Sequence, residues 1–167
     1  YDGKENYRTL FDRAVCDYRV LERLARRYGV KINLEMHMGT ITASASAAYR
    51  LVSHFDPRWI GVIYDTGNIV YEGLEDYQAA LEILGEYLDH IHIKNGRWEM
   101  TGEENGVQNW APTWASFRKG YTDFDKMFRA IRSAGYDGWI SFEDFSAEES
   151  TEEKLRRNLE FIQGFAK

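Results

Sequence analysis

Four residues in this chain of 167 have the chemistry to hold a divalent metal ion together: Glu35, Asp65, His92 and Glu143. Three carboxylates gathered in one place repel each other and resist ionisation unless a cation neutralises them. With an imidazole and no thiolate, the donor set is hard to borderline. It suits Mn²⁺ best, with Mg²⁺, Co²⁺ and Zn²⁺ as alternatives. An ion held there would polarise a substrate carbonyl and its adjacent hydroxyl, acidify the neighbouring C–H and stabilise an enediolate, while a carboxylate removes the proton and returns it elsewhere.

Residues this far apart in sequence meet only if the elements between them bring them together. From Glu5 to Tyr28 the apolar residues, among them Leu10, Phe11, Ala14, Val15 and Tyr18, recur at three and four, and Gly29 follows as a C-terminal cap. This spacing predicts a helix. Val30 to Met36 reads as a short strand ending near Glu35. Ala43 to His54 reads as a helix closed by Asp56 and Pro57, and Trp59 to Tyr64 as a strand ending at Asp65. Glu75 to Leu88 reads as a helix, then His90 to Lys94 as a strand with residue 92 near its end. Residues 90 and 92 share a strand face, so spacing alone leaves both histidines open.

Asn95 to Tyr121 interrupts the rhythm with Pro112, glycines and Trp98, Trp110 and Trp114. It reads as a long loop whose tryptophans suit a lid over a reactive intermediate. Thr122 with Asp125 predicts a helix start resembling a capping box, and that helix runs to Ala134. Trp139 to Phe142 is then a fourth strand, ending at Glu143, and Ser150 with Glu153 opens a last helix. One acidic residue at a strand end is ordinary loop polarity. A candidate ligand at or near the end of all four strands is a pattern.

Strands alternating with helices imply a parallel sheet and an α/β architecture. Four strands are half of an eight-stranded (β/α) barrel, whose active sites are built on the rim at the C-terminal strand ends. An open four-stranded sheet leaves two edges unpaired, so association with a missing half-barrel or a second copy is expected. The chain opens on Tyr1 and soon enters helical sequence, which reads as a piece of something longer.

Bulk properties remove other classes. The formal net charge of −6 comes with scattered basic residues, which argues against a nucleic-acid partner. No apolar run has the length of a membrane span or a signal-peptide core. Cys16 is the only cysteine, sits among helix-periodic apolar residues and reads as core packing. A reducing, cytoplasmic setting fits.

Five segments in order carry a resemblance: Ile32–His37 (INLEMH), Tyr64–Asn68 (YDTGN), His90–Lys94 (HIHIK), Gly120–Phe124 (GYTDF) and Gly135–Asp144 (GYDGWISFED). Together they resemble the xylose isomerase-like TIM barrel superfamily, in its sugar phosphate isomerase/epimerase branch. The match covers nearly the whole chain and corresponds to strands five to eight of that barrel, making residues 1–167 a single domain. The resemblance implies that Glu35, Asp65, His92 and Glu143 are the metal ligands, with His92 rather than His90. It also implies that Glu35 and Glu143 exchange the substrate proton, as their counterparts do in the family's ketose epimerases.

Around these residues, His37 lies two positions beyond Glu35 and is a candidate for touching substrate oxygens. Asn68 stands where some family epimerases have a substrate-binding histidine, a departure that tells against a ketose 3-epimerase, and it also fits simple turn chemistry after Gly67. Lys94 is a candidate for binding an anionic or hydroxylated substrate group. Asn95 stands where the family commonly has aspartate, which lowers the negative charge beside His92. His54 reads as a capping or exposed residue.

The function implied is a metal-dependent isomerase or epimerase acting on a small carbohydrate or sugar phosphate. The alternative on the same scaffold is a dehydratase of an inositol-derived or shikimate-type ketone, because both reactions begin by abstracting a proton beside a carbonyl. An abasic-site endonuclease would need a multi-zinc cluster, and four histidines in a net acidic chain argue against it. A barrel fragment with no turnover of its own is the non-catalytic alternative.

Overall fold

The computed structural model describes residues 1–165. A long helix α1 (Tyr7–Tyr28) leads into β1 (Ile32–Glu35), α2 (Ala45–Val52) and β2 (Ile60–Asp65). A one-turn helix α3 (Asn68–Tyr71) and α4 (Tyr77–Leu84) precede β3 (Leu88–Ile93). A hairpin, β4 (Gly96–Glu104) and β5 (Val107–Trp114), then precedes α5 (Phe124–Ser133), β6 (Trp139–Phe142) and α6 (Thr151–Gln163).

The helix boundaries follow local chemistry. Asn6 caps α1 by accepting from the Arg8 amide, and Gly29 ends it at φ 65°, a left-handed conformation that suits glycine. Ser44 caps α2 through the Ala47 amide. Ser150 and Glu153 form the expected reciprocal capping box on α6.

β1, β2, β3 and β6 form one parallel sheet in that order, so each strand in the sheet lies beside the one before it, as in a (β/α) barrel. The register sets Leu34 opposite Val62, and Tyr64 opposite Ile91. These rows are buried against Leu51, Val52, Leu81, Leu84, Met127 and Ile131 from the helices, which makes the hydrophobic core. The other face of the sheet carries the rows Glu35–Ile63–His90 and Asp65–His92–Ser141. Side-chain alternation therefore divides the sheet into an apolar face for the helices and a polar face for the site.

Several expectations are corrected. The segment after Lys94 is a nine- and eight-residue antiparallel hairpin, paired from Gly96–Trp114 to Glu104–Val107, and not a loop. Its turn is Asn105–Gly106, both at positive φ, the signature of a tight hairpin. Leu88 belongs to β3, because the helix breaks at Gly85 (φ 50°) and a 3₁₀ turn follows. The helix cap is Asp123, which accepts from the Lys126 amide, whereas Thr122 bonds to Asn95. Cys16 is exposed rather than in the core. His54 is exposed, as expected, with its ring edge-on to Phe11.

Candidate metal centre

Glu35, Asp65 and His92 project from the C-terminal ends of β1, β2 and β3, and a donor atom from each lies within 4.8 Å of the others. His92 Nδ1 is 3.6 Å from Glu35 Oε1 and 3.7 Å from Asp65 Oδ2. Both separations are too long for hydrogen bonds and close to the spacing between two ligands of one ion. Asp65 Oδ2 and His92 Nδ1 are buried and make no hydrogen bond. A buried ring nitrogen left without a hydrogen bond and facing two carboxylates fits a cation. Glu35, Asp65 and His92 are the residues that would hold it.

Glu143 follows β6, and its backbone amide extends the sheet by donating to the Ile93 carbonyl. Its carboxylate is not part of the close triad. Lys94 Nζ lies 2.7 Å from Glu143 Oε2 and 3.0 Å from Asp65 Oδ2, and so bridges Glu143 to Asp65. The ammonium is almost fully buried, over the rings of Trp114 and Phe145 at 5.1 Å and 5.0 Å. The stem of Lys94 passes so close to Gly67 that a Cβ there would lie 2.5 Å from Lys94 Cγ.

The turn after β2 fixes Asp65. Its Oδ1 accepts from the Gly67 and Asn68 amides at 2.9 Å and 2.7 Å, which turns Oδ2 toward His92. Burial pushes the Asp65 carboxyl up, but His92, the Asn68 amide and Lys94 outweigh it and hold it below the usual range. The adjacent Asp65 carboxylate raises the His92 imidazole against the opposing effect of burial. Burial lowers Lys94, and the carboxylates of Glu143 and Asp65 more than compensate. His90 points elsewhere: its Nε2 bonds Ser141 Oγ at 2.9 Å, and burial, with His92 beside it, lowers its pKa.

The other candidates separate. His37 Nδ1 lies 2.7 Å from the Met38 carbonyl, to which it donates. Asn68 is completely buried and hydrogen-bonded to Glu35. Asn95, also buried, ties the base of the hairpin by donating to the Phe117 carbonyl and accepting from the Gly96 and Thr122 amides. A Cβ at position 120 would sit 2.1 Å from the Asn95 side chain, which explains the glycine there.

The hairpin forms one wall of the site. Trp98 Nε1 donates to the Val70 carbonyl, and Trp114 packs on Tyr71 with centroids 4.4 Å apart. Trp110 is exposed on the outer part of the hairpin. Sequence reasoning missed Tyr71 and Phe145 as wall residues, since a four-residue helix and a lone post-strand aromatic leave no periodic signal.

The sequence matches the family model described as xylose isomerase-like TIM barrel over residues 1–165. The chain belongs to the xylose isomerase-like TIM barrel family. Among curated members, it is 36% identical over 137 residues to an inosose dehydratase of Lacticaseibacillus casei, covering 74% of this chain and 44% of that protein. It is 31% identical over 132 residues to an inosose dehydratase of Geobacillus thermodenitrificans, covering 72% and 42%. The chain thus spans less than half the length of these two relatives. Among solved structures, it resembles the 3-keto-D-glucoside 4-epimerase of E. coli at TM-score 0.75 and 20% identity, covering 97% of this chain and 56% of that one. It also resembles the IOLI protein with a binding zinc atom at TM-score 0.74 and 20% identity, covering 98% and 59%. At these identities the structural likenesses speak for the xylose isomerase-like barrel fold alone.

Proposed function

We propose that this chain is the metal-holding half of a lyase that removes a proton beside the carbonyl of a cyclic polyol ketone and expels water. The observation that carries the metal centre is the convergence of Glu35, Asp65 and His92, with the buried His92 Nδ1 facing both carboxylates and making no hydrogen bond. The order of preference differs from the sequence reading, which put isomerase or epimerase first. The curated relatives are named inosose dehydratases at up to 36% identity, whereas the likeness to epimerase structures carries only the fold.

Glu35, Asp65, His92 and Glu143 are the proposed ligands, Mn²⁺ the proposed ion, and Zn²⁺ and Mg²⁺ the alternatives; related structures were solved with zinc and with magnesium. A bound divalent ion supplies Lewis acidity to the carbonyl and its neighbouring hydroxyl. Glu35 and Glu143 stand on the two outer strands of the sheet, β1 and β6, and so approach a substrate over the site from opposite sides. One carboxylate removes the proton from carbon, and that proton is passed to the leaving hydroxyl, which departs as water. His37 accepts a substrate hydroxyl through Nε2. Lys94 holds Glu143 in place and acts on substrate only if that ion pair opens. The aromatic wall of Tyr71, Trp114 and Phe145 excludes water from one side.

Epimerisation is the second reading, favoured by the same opposed carboxylates, since proton removal from one face and return to the other inverts a carbon. Both readings place the chain as strands five to eight of a barrel, in a cytoplasmic protein whose other half completes the substrate site. The test incubates the intact metal-loaded protein with an inosose and with a ketose panel in D₂O, followed by NMR. Loss of water from the inosose is expected. Deuterium uptake without loss of water would favour the epimerase, and no exchange into any substrate would sink both.

A further inference from the structure

Asn68 is the first residue of α3 and does not belong to the proposed ligand set, yet every charged group of the site is tied to it directly or through one neighbour. Its Nδ2 donates to Glu35 Oε1 at 3.2 Å and to the Met36 carbonyl at 3.0 Å. Its backbone amide donates to Asp65 Oδ1 at 2.7 Å. Its Oδ1 accepts from Lys94 Nζ at 3.4 Å, and that ammonium reaches Glu143 at 2.7 Å. The side chain is fully buried, so no water competes for these bonds. The amide orientation follows from the partners, since two acceptors stand on one side and an ammonium on the other.

We propose that Asn68 is a positioning residue that holds Glu35 and Asp65 in their ion-binding orientation and keeps Lys94 on Glu143, an inference that rests on the metal centre proposed above. Glu35 has three rotatable side-chain bonds and is about one-third exposed, so without a donor on Oε1 it samples orientations that do not face His92. The turn that begins at Asp65 and ends at Asn68 consumes Oδ1 and thereby selects Oδ2 as the donor atom. A neutral amide can donate to a carboxylate and accept from an ammonium at once. An aspartate would add a fourth negative charge, and an apolar side chain would take away the donor on Glu35 Oε1 and one of the acceptors around Lys94.

The test uses Asn68→Ala and Asn68→Leu in the intact protein, the latter keeping the volume and γ-branching of asparagine. The proteins are stripped with chelator and titrated with Mn²⁺ by calorimetry. The Co²⁺ absorption spectrum reports ligand geometry, and the metal-free melting midpoint reports folding. Both variants are expected to bind Mn²⁺ about tenfold to a hundredfold more weakly than wild type. The Co²⁺ bands should shift while the metal-free midpoint stays near wild type. Wild-type affinity and spectrum in a folded variant would overturn the positioning role alone. A wild type that binds neither ion would overturn the metal centre and this role with it. Failure of both metal-free variants to fold would make Asn68 a folding residue and overturn the role as well.

Discussion

Asp65 and His92 show how a side chain's value depends on what its neighbours leave undone. Asp65 gives one oxygen to two backbone amides and turns the other toward Lys94 and a buried ring nitrogen of His92 that makes no hydrogen bond. Burying a polar atom without a partner costs stability of about 1–3 kcal/mol, which a bound cation at that nitrogen would recover. Asp65→Asn and Glu143→Gln are therefore expected to lose the ion while keeping the fold. Elemental analysis after dialysis against Mn²⁺ would check this, and unchanged metal content in both variants would sink the ligand assignment. That Glu35, Asp65 and a histidine of β3 meet at strand ends was legible in the sequence, because strand ends are marked by turn chemistry, whereas the choice of His92 over His90 needed the resemblance, and Glu143 lies outside the close triad. The division of labour among them was not. Lys94 and Asn68 read as substrate contacts by position, and only the fold reveals that their polar atoms are bonded to carboxylates.

At the scale of elements, β2 and the turn into α3 are shaped by what passes over them. Gly67 leaves room for the stem of Lys94, and a methyl group there would meet it well inside van der Waals contact. Gly67→Ala is expected to destabilise the fold by about 1–3 kcal/mol. In a Gly67→Ala/Lys94→Ala double variant the loss should be smaller than the sum of the single losses, as urea melts would measure; simple additivity would contradict the contact. β3 and β6 are tied by Tyr136, whose hydroxyl donates to the carbonyls of Asp89 and Trp139. Burial first, then the charges of Asp89 and Asp137, push that phenol from 10.0 up to about 12. A raised folded pKa favours the protonated form, so the stabilisation is complete below pH 10 and is lost as pH rises toward 12. Denaturant unfolding across this window should show falling stability in wild type and a shallower fall in Tyr136→Phe. Equal slopes would contradict the link.

The helices other than α3, and the four sheet strands, were legible in the chain's periodicity and capping residues. The hairpin was not, because Pro112, Gly102 and the tryptophans of residues 96–114 do not alternate as a half-buried strand does. This ribbon lies mostly in solvent, with Met100, Val107 and Trp110 exposed, so it carries little inside-outside pattern to read.

Among the described residues, the parallel sheet has two unpaired edges, β1 and β6. A closed barrel of this type fills its interior largely with branched apolar side chains. Here the corresponding face carries Asn33, Gly61, His90 and Ser141, and Lys31 and Asn33 both bond Asp89. Trp139 on the β6 edge is 82% exposed. An aromatic so open on an edge strand is expected to be covered by another strand, in keeping with a chain that spans less than half the length of the two dehydratases. Alone, the chain is predicted to sediment above its monomer mass, and Trp139→Lys should return it to the monomer. A wild-type monomer at micromolar concentration would contradict the association.

The central claim is that Glu35, Asp65 and His92 converge on one divalent ion. The most direct measurement is an anomalous difference map from crystals of the intact protein grown with Mn²⁺. One peak is predicted about 2.0–2.3 Å from Glu35, Asp65 Oδ2 and His92 Nδ1. A protein crystallised with Mn²⁺ that shows no peak there, or shows its ion elsewhere, would contradict the account.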